Sequence, residues 1–131
     1  MGLRDLCKQM HRVYRDDNLP RAQKDTYTTL PDMVMRPADA YERLVRGRVE
    51  TVEIDHLAER ILGVMVVPYP PGIPVIMPGE RITRATKSIQ DNLLYARELD
   101  QKFPGFEIDI HGLRFEFAGG GRRYLVDCIP E

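Results

Sequence analysis

Side chains that could perform chemistry are present, but their spacing matches no catalytic or metal-binding motif. The three histidines are isolated from one another: His11, His56 and His111. Metal sites require closer ligand spacing than this. The run Gly119–Gly121 joins two predicted strands and no Gly-Lys-Ser/Thr follows it, so it does not predict a phosphate loop. The paired carboxylates Asp16 and Asp17 are attributed to a solvated surface. No nucleophile elbow is present and neither cysteine has a neighbouring base, so we assign no catalytic residue and no metal ligand.

The longest uncharged stretch runs from Ile61 to Gly79 and contains half of the ten prolines. Proline lacks an N–H and fixes φ, so a continuous membrane-spanning helix is excluded here. We predict a buried strand at Ile61–Val67, a rigid turn at Tyr69–Pro74 and a second short strand at Val75–Met77. Two interpretations of the turn stay open. It forms one wall of a pocket or interface, or it is a proline-stiffened connection within the core.

The composition is that of one globular domain spanning residues 1–131. An apolar fraction of 43% and a charged fraction of 30% are ordinary for a soluble protein. The net charge of −1 predicts binding neither to nucleic acid nor to an anionic membrane. The N-terminal segment carries charges throughout, which excludes a signal peptide. We expect a cytoplasmic protein in which Cys7 and Cys128 are free thiols.

Three helices are predicted from hydrophobic spacing and from the residues at their ends. Leu3–Asp16 has apolar residues three and four positions apart. Ala38–Arg46 follows Pro37, a residue that favours the first helical position. Arg84–Lys102 follows Thr83, which is predicted to cap its N-terminus. The predicted buried stripe of this longest helix comprises Ile89, Leu93 and Ala96.

Strands are predicted at Val49–Ile54, in the uncharged stretch and in a C-terminal hairpin. The hairpin pairs Leu113–Phe117 with Arg122–Val126 around a glycine turn. Leu19–Met35 shows little periodicity and is predicted to be irregular, and Asp55 is predicted to cap a short turn. These elements predict an α+β fold in which about three helices cover a small mixed or antiparallel sheet.

Several segments carry a family resemblance. The most specific is PYPPGIPVIMPGE at Pro68–Glu80. Others follow in order: Met35–Ala40 (MRPADA), Val52–Glu59 (VEIDHLAE), Arg97–Glu107 (RELDQKFPGFE), Asp109–Gly112 (DIHG) and Tyr124–Cys128 (YLVDC). Over nearly the whole chain they resemble the C-terminal domain of the bacterial Orn/Lys/Arg decarboxylases, which use pyridoxal phosphate. KFPGFE and DIHG look most like the acid-inducible arginine decarboxylases.

The resemblance implies a cofactor that this chain is not expected to hold. In that family a lysine follows histidine in a Ser-x-His-Lys motif and forms a Schiff base with pyridoxal phosphate. The lysines of this chain are Lys8, Lys24, Lys87 and Lys102, and none of them follows a histidine. The resemblance covers the last domain only, and the cofactor-binding domain is absent from these residues. We expect no cofactor in this chain and pyridoxal phosphate in the parent enzyme.

The resemblance also suggests where substrate could approach. In enzymes of this family, active sites lie between the large and small domains and near the dimer interface. Four residues of this chain are candidates for the rim of such a site: Tyr69, Gly72, Glu80 and Arg81. Tyr69 or Glu80 could bind the distal cation of a basic amino acid. Alternatively, Glu80 stabilises the start of the following helix.

The predicted function is a structural and active-site-rim role in a decarboxylase of arginine, lysine or ornithine, with no activity in the isolated chain. The expected partners are the pyridoxal-phosphate-binding domains of the parent enzyme and its oligomer mates. The alternative is a stand-alone, non-enzymatic binding or assembly domain that kept the fold.

Overall fold

Four α-helices are present in the computed structural model, which describes residues 1–131. They are α1 (Leu3–Asp16), α2 (Leu19–Thr28), α3 (Pro37–Val45) and α4 (Lys87–Lys102). Two short 3-10 turns, Ile54–His56 and Arg84–Thr86, precede β3 and α4. The predicted α+β class is confirmed, with one helix more than the sequence indicated.

Eight strands pair, and every pair is antiparallel. They are β1 (Asp32–Met33), β2 (Glu50–Glu53), β3 (Ile61–Leu62), β4 (Val67–Tyr69), β5 (Glu80–Arg81), β6 (Asp109–His111), β7 (Arg114–Ala118) and β8 (Gly121–Ile129). The main sheet has the order β1-β5-β3-β8-β2, and β7 pairs with the first part of β8. β4 and β6 form a separate two-stranded ribbon. β8 organises the main sheet because it pairs with β2, β3 and β7.

The core lies on both faces of β8. One face contributes Tyr124, Val126 and Cys128 to a buried cluster that also contains Ile89, Leu93 and Ala96 of α4. On the other face, Ile129 packs with Ile61 and with Ala40 of α3. Successive strand residues point to opposite faces, so one strand can bind a helix layer on each side.

The sequence predictions for α1, α3, α4 and the C-terminal hairpin are confirmed. The N-terminus before α4 carries a reciprocal capping box, in which the Thr83 N–H donates to Thr86 Oγ1 at 2.8 Å. Pro37 is the first residue of α3. β7 and β8 are joined through Gly119 and Gly120. Local signals were sufficient for these elements.

The prediction that Leu19–Met35 is irregular is wrong, because α2 occupies most of it. Pro20 lies in the first turn of α2, where a missing N–H costs no helical hydrogen bond. The face that packs on α4 is centred on Thr26, which is 2% exposed. Its hydroxyl lies 2.9 Å from the Ala22 carbonyl oxygen and 3.3 Å from that of Ser88. A hydroxyl bonded in this way can be buried, and a search for apolar periodicity does not detect it.

The predicted single strand at Ile61–Val67 is divided between two sheets. β3 belongs to the main sheet, whereas β4 belongs to the ribbon. Between them, the Gly63 N–H donates to the Asp127 carbonyl oxygen at 2.9 Å. Met65 is 43% exposed, so the stretch is not buried on both faces as predicted.

The predicted strand at Val75–Met77 is reduced to one bridge between Val66 and Ile76. Pro74 and Pro78 flank this segment. Proline cannot donate to a strand ladder, so pairing cannot extend at either end.

The prediction that Asp55 caps the following turn is also wrong. Its carboxylate accepts hydrogen bonds of 2.7 and 2.8 Å from the Arg97 guanidinium on α4, which lower the pKa of Asp55. The Gln90 side-chain amide donates to the Ile54 carbonyl oxygen at 2.9 Å. These contacts fix the first 3-10 turn against α4.

Candidate functional site

The β4–β6 ribbon positions the proline turn. Pro68 of β4 lies opposite Ile110 of β6, and both are buried. Val67 is buried as well, and the strand becomes exposed at Tyr69, where the turn begins. The ribbon is therefore anchored in the core and presents Tyr69 to solvent.

Tyr69, Asp109 and His111 form an exposed cluster on the ribbon, called the ribbon cluster below. Tyr69 lies opposite Asp109, and His111 is on the same face two residues further along β6. The Tyr69 and His111 ring centroids are 4.7 Å apart, and His111 Nε2 lies 3.2 Å from Asp109 Oδ2. Tyr69 is 46% exposed. Hydrogen bonds within the chain use the hydroxyls of Tyr95 and Tyr124 and leave that of Tyr69 free.

Gly72 allows the proline turn to fold over the Tyr69 ring. Its N–H donates to the Pro68 carbonyl oxygen at 2.8 Å, and its φ is +82°. A Cβ at this position would lie 2.9 Å from Tyr69 Cε1. A larger residue would therefore displace the ring or the turn, in addition to the strain of a positive φ.

The other two predicted rim residues lie in β5 and are engaged within the chain. Glu80 Oε2 accepts the Met77 N–H at 2.7 Å, which closes the Pro-Gly-Glu turn. This contact replaces the predicted one with the start of the following helix. The Arg81 guanidinium pairs with Glu131. The structure thus places Tyr69 and Gly72 at the proline turn, where Tyr69 is exposed, and places Glu80 and Arg81 in β5 of the main sheet.

Sequence analysis did not select Asp109 and His111 as site residues. Their contact with Tyr69 depends on pairing between strands about forty residues apart in the sequence, which no local pattern reveals. One signal was available, because polar residues on both sides of the buried Ile110 are typical of a half-buried strand.

Comparison with known proteins identifies the family. The profile described as "Orn/Lys/Arg decarboxylase, C-terminal domain" matches residues 20–130. The chain belongs to this family. The chain is also similar in structure to the constitutive lysine decarboxylase of Escherichia coli, with a TM-score of 0.90 and 37% identity. That match covers 99% of this chain and 18% of the other.

Curated relatives place lysine decarboxylases nearer than arginine decarboxylases. The chain is 55% identical over all 131 residues to lysine decarboxylase LdcA of Pseudomonas aeruginosa, of which it covers 17%. It is 34% identical over 129 residues to the biodegradative arginine decarboxylase of E. coli K12, covering 98% of this chain and 17% of that protein. The chain thus spans about a sixth of the length of these relatives. These identities correct the expectation, based on KFPGFE and DIHG, that the chain is most similar to arginine decarboxylases.

The lysines of this chain do not fit pyridoxal phosphate. Lys8, Lys24, Lys87 and Lys102 are all exposed, and Lys87 is paired with Asp91 at 3.7 Å. A Schiff-base site needs a lysine held beside an acidic group for the pyridine nitrogen and a cradle for the phosphate. No lysine here has that setting, so no step of the cofactor's chemistry is assigned to this domain.

The remaining side chains form neither a metal site nor a reactive thiol. No group of three or more His, Cys, Asp or Glu side chains could hold a metal ion. Cys7 is exposed and Cys128 is buried, and they are not joined. Burial raises the pKa of the Cys128 thiol to about 11, which disfavours the reactive thiolate. None of the helices combines the length and the apolar character needed to cross a bilayer.

Proposed function

We propose that this chain is the C-terminal domain of a pyridoxal-phosphate-dependent lysine decarboxylase, in which it supports the fold and forms part of the active-site rim. The observation that carries the proposal is 55% identity over the whole chain to a lysine decarboxylase, against 34% to an arginine decarboxylase. The cofactor belongs to domains outside these 131 residues. Decarboxylation consumes one proton per turnover, which suits a role in acid resistance in the cytoplasm.

An exposed apolar face supports docking onto the rest of such an enzyme. Leu30 is 86% exposed and Ile73, at the proline turn, is 53% exposed. Both line one shallow cavity of about 190 Å³, and Met33 and Val34 are exposed nearby in the sequence. Exposed apolar side chains that line one cavity are a feature of interaction sites. We assign this face to the cofactor-binding domains of the parent enzyme or its oligomer mates.

The ribbon cluster is suited to a basic substrate. The Tyr69 ring offers an apolar surface for a methylene chain, and the Asp109 carboxylate offers an acceptor for a distal ammonium. Gly72 keeps the turn closed over the ring. Of the remaining rim candidates in β5, Glu80 closes the Pro-Gly-Glu turn that follows the proline turn, and Arg81 pairs with Glu131.

The isolated chain is expected to be catalytically silent. None of its exposed lysines is held where it could form the Schiff base. The measurement is CO₂ release from lysine, arginine and ornithine in the presence of pyridoxal phosphate, compared with free cofactor. Turnover above that background, together with a pyridoxyl-lysine adduct found by mass spectrometry after reduction, would contradict the assignment to a supporting domain.

Tyr69→Phe in the full-length enzyme is expected to raise KM for lysine by roughly three- to thirtyfold. A hydrogen bond to a charged group contributes about 1.5–3 kcal/mol, and water replaces part of it. The melting temperature should stay within a few degrees, because the hydroxyl has no partner in the domain. Steady-state kinetics and thermal unfolding are the measurements.

Tyr41→Phe is the matched control for this variant. Tyr41 is an exposed tyrosine on α3, on a different element from the ribbon cluster. It should leave KM and kcat unchanged. Unaltered kinetics in Tyr69→Phe as well would remove Tyr69 from the rim and favour the purely structural interpretation of the turn.

A further inference from the structure

A second cleft lies between the α1–α2 hairpin and α4, and it has an apolar part and an acidic part. The apolar part, about 260 Å³, is walled by three tyrosines: Tyr14, Tyr27 and Tyr95. The acidic part, about 410 Å³, is lined by four carboxylates: Asp17, Asp25, Asp91 and Glu98. Asn92 and Tyr95 line both parts, so the two adjoin.

The four carboxylates of the acidic part are exposed, and few cations of the chain pair with them. Asp17 accepts a hydrogen bond from the Tyr95 hydroxyl at 3.0 Å but has no ion-pair partner. Asp25 and Asp91 pair only with exposed cations of their own helices, at 4.0 and 3.7 Å, and such pairs contribute little. Lys102 is the one cationic residue in the lining. A cleft lined by one sign of charge concentrates ligands of the opposite sign.

The three tyrosines are half-buried and give the apolar part an aromatic lining. Burial raises the pKa of Tyr27, and burial together with the hydrogen bond to Asp17 raises the pKa of Tyr95. Tyrosine faces bind methylene groups by contact and ammonium groups by cation–π attraction. An occupant that matches both parts has an apolar chain and a cationic end.

We propose that this cleft binds a linear aliphatic diamine, with an ammonium on the carboxylates and the methylene chain against the tyrosines. An amino acid is a poorer occupant because the acidic lining repels its carboxylate. The biological source rests on the proposed function: lysine and one proton yield CO₂ and doubly protonated 1,5-diaminopentane, which is the product and not the substrate.

The apolar part of the cleft adjoins the segment that carries the proposed active-site rim. Pro68 and Pro70 line its apolar part. Pro68 belongs to β4, whose next residue is Tyr69, and Pro70 begins the turn. A diamine in the cleft therefore contacts the base of the segment that carries the ribbon cluster.

The test is a titration of the chain with 1,5-diaminopentane, followed through its tyrosine ring resonances. Tyrosine fluorescence is a second readout, since the chain contains no tryptophan. We expect saturable changes at Tyr14, Tyr27 and Tyr95, and binding roughly tenfold weaker for lysine, which adds a carboxylate, and for 1-aminopentane, which lacks the second ammonium. No saturable change, or the same change with sodium chloride at equal ionic strength, would overturn the proposal.

Charge-neutralising variants sharpen the test. Asp17→Asn and Glu98→Gln should each raise Kd for the diamine by roughly three- to tenfold. Asp16→Asn is the matched control, since it removes the same charge one residue away, beside Arg15 and outside the cleft lining. If Asp16→Asn and Asp17→Asn weaken diamine binding equally, the effect is one of net charge alone, and the proposal of a specific site is contradicted. Failure here leaves the decarboxylase proposal standing, because that proposal is tested by the kinetics of the full-length enzyme.

Discussion

Replacing Val66 by Asp is expected to unfold the domain. Val66 is fully buried in the main core cluster. Its N–H donates to the Ile76 carbonyl oxygen at 3.1 Å and its carbonyl oxygen accepts the Val75 N–H at 2.9 Å, so its backbone cannot turn the side chain out. An unpaired buried carboxylate costs several kcal/mol, against a total stability of roughly 5–15 kcal/mol for a domain.

Met65→Asp is the matched control, since the same charge enters one residue earlier. Met65 is exposed, so a carboxylate there stays hydrated and the change in stability should be within about 1 kcal/mol. Circular dichroism during thermal and urea unfolding compares the two variants. If Val66→Asp melts like the parent chain, the placement of Val66 in the core is wrong.

Elements with strong local signals were predictable from the sequence. The periodic apolar stripe and threonine cap gave α4, and Pro37 gave the start of α3. Alternation around glycines gave β7 and β8. Each signal lies within a few residues of the structure it determines, so it does not depend on the rest of the fold.

Elements that depend on distant contacts were not predictable. α2 buries a threonine whose hydroxyl bonds α4, so its packed face is partly polar. Ile61–Val67 is uniformly apolar, and nothing in that run shows that its first residues pair with β8 while its last pair with β6. A uniformly apolar run lacks the alternation of apolar and polar residues from which pairing could be inferred.

Only part of the candidate site was predictable from the sequence, because some of its contacts are local and others join distant residues. The proline turn and Tyr69 are adjacent in sequence and were selected together. Asp109 and His111 join Tyr69 only through the β4–β6 pairing. Glu80 and Arg81 lie close to the turn in sequence, yet β5 directs them into contacts with Met77 and Glu131. Nearness in sequence therefore did not indicate that the side chains of Glu80 and Arg81 are engaged within the chain.

Gly79→Ala is expected to destabilise the domain by several kcal/mol and to disturb the proline turn beside it. The Gly79 N–H donates to the Leu62 carbonyl oxygen at 2.8 Å, and its own carbonyl oxygen accepts the N–H groups of Val34 and Met35. Gly79 thus joins three segments through backbone contacts. A Cβ would lie 2.2 Å from the Met35 carbonyl oxygen, and no side-chain rotation can relieve a clash between backbone atoms.

Gly105→Ala is the control that separates the steric clash at Gly79 from the strain of a positive φ. Gly105 has φ +91°, against +90° for Gly79, but no atom lies within 4 Å of its hypothetical Cβ. Strain alone should cost about 1–2 kcal/mol in Gly105→Ala, and overpacking should add about 1–3 kcal/mol in Gly79→Ala. Urea unfolding measures the difference, which corresponds to roughly 3–5 °C in Tm per kcal/mol for a domain of this size. Equal destabilisation in the two variants would show that the Met35 backbone moves away from Gly79 at no cost. An excess in Gly79→Ala, with a raised KM for lysine in the proposed full-length decarboxylase, would support a role of the Pro-Gly-Glu turn in holding the Tyr69 loop at the proposed rim.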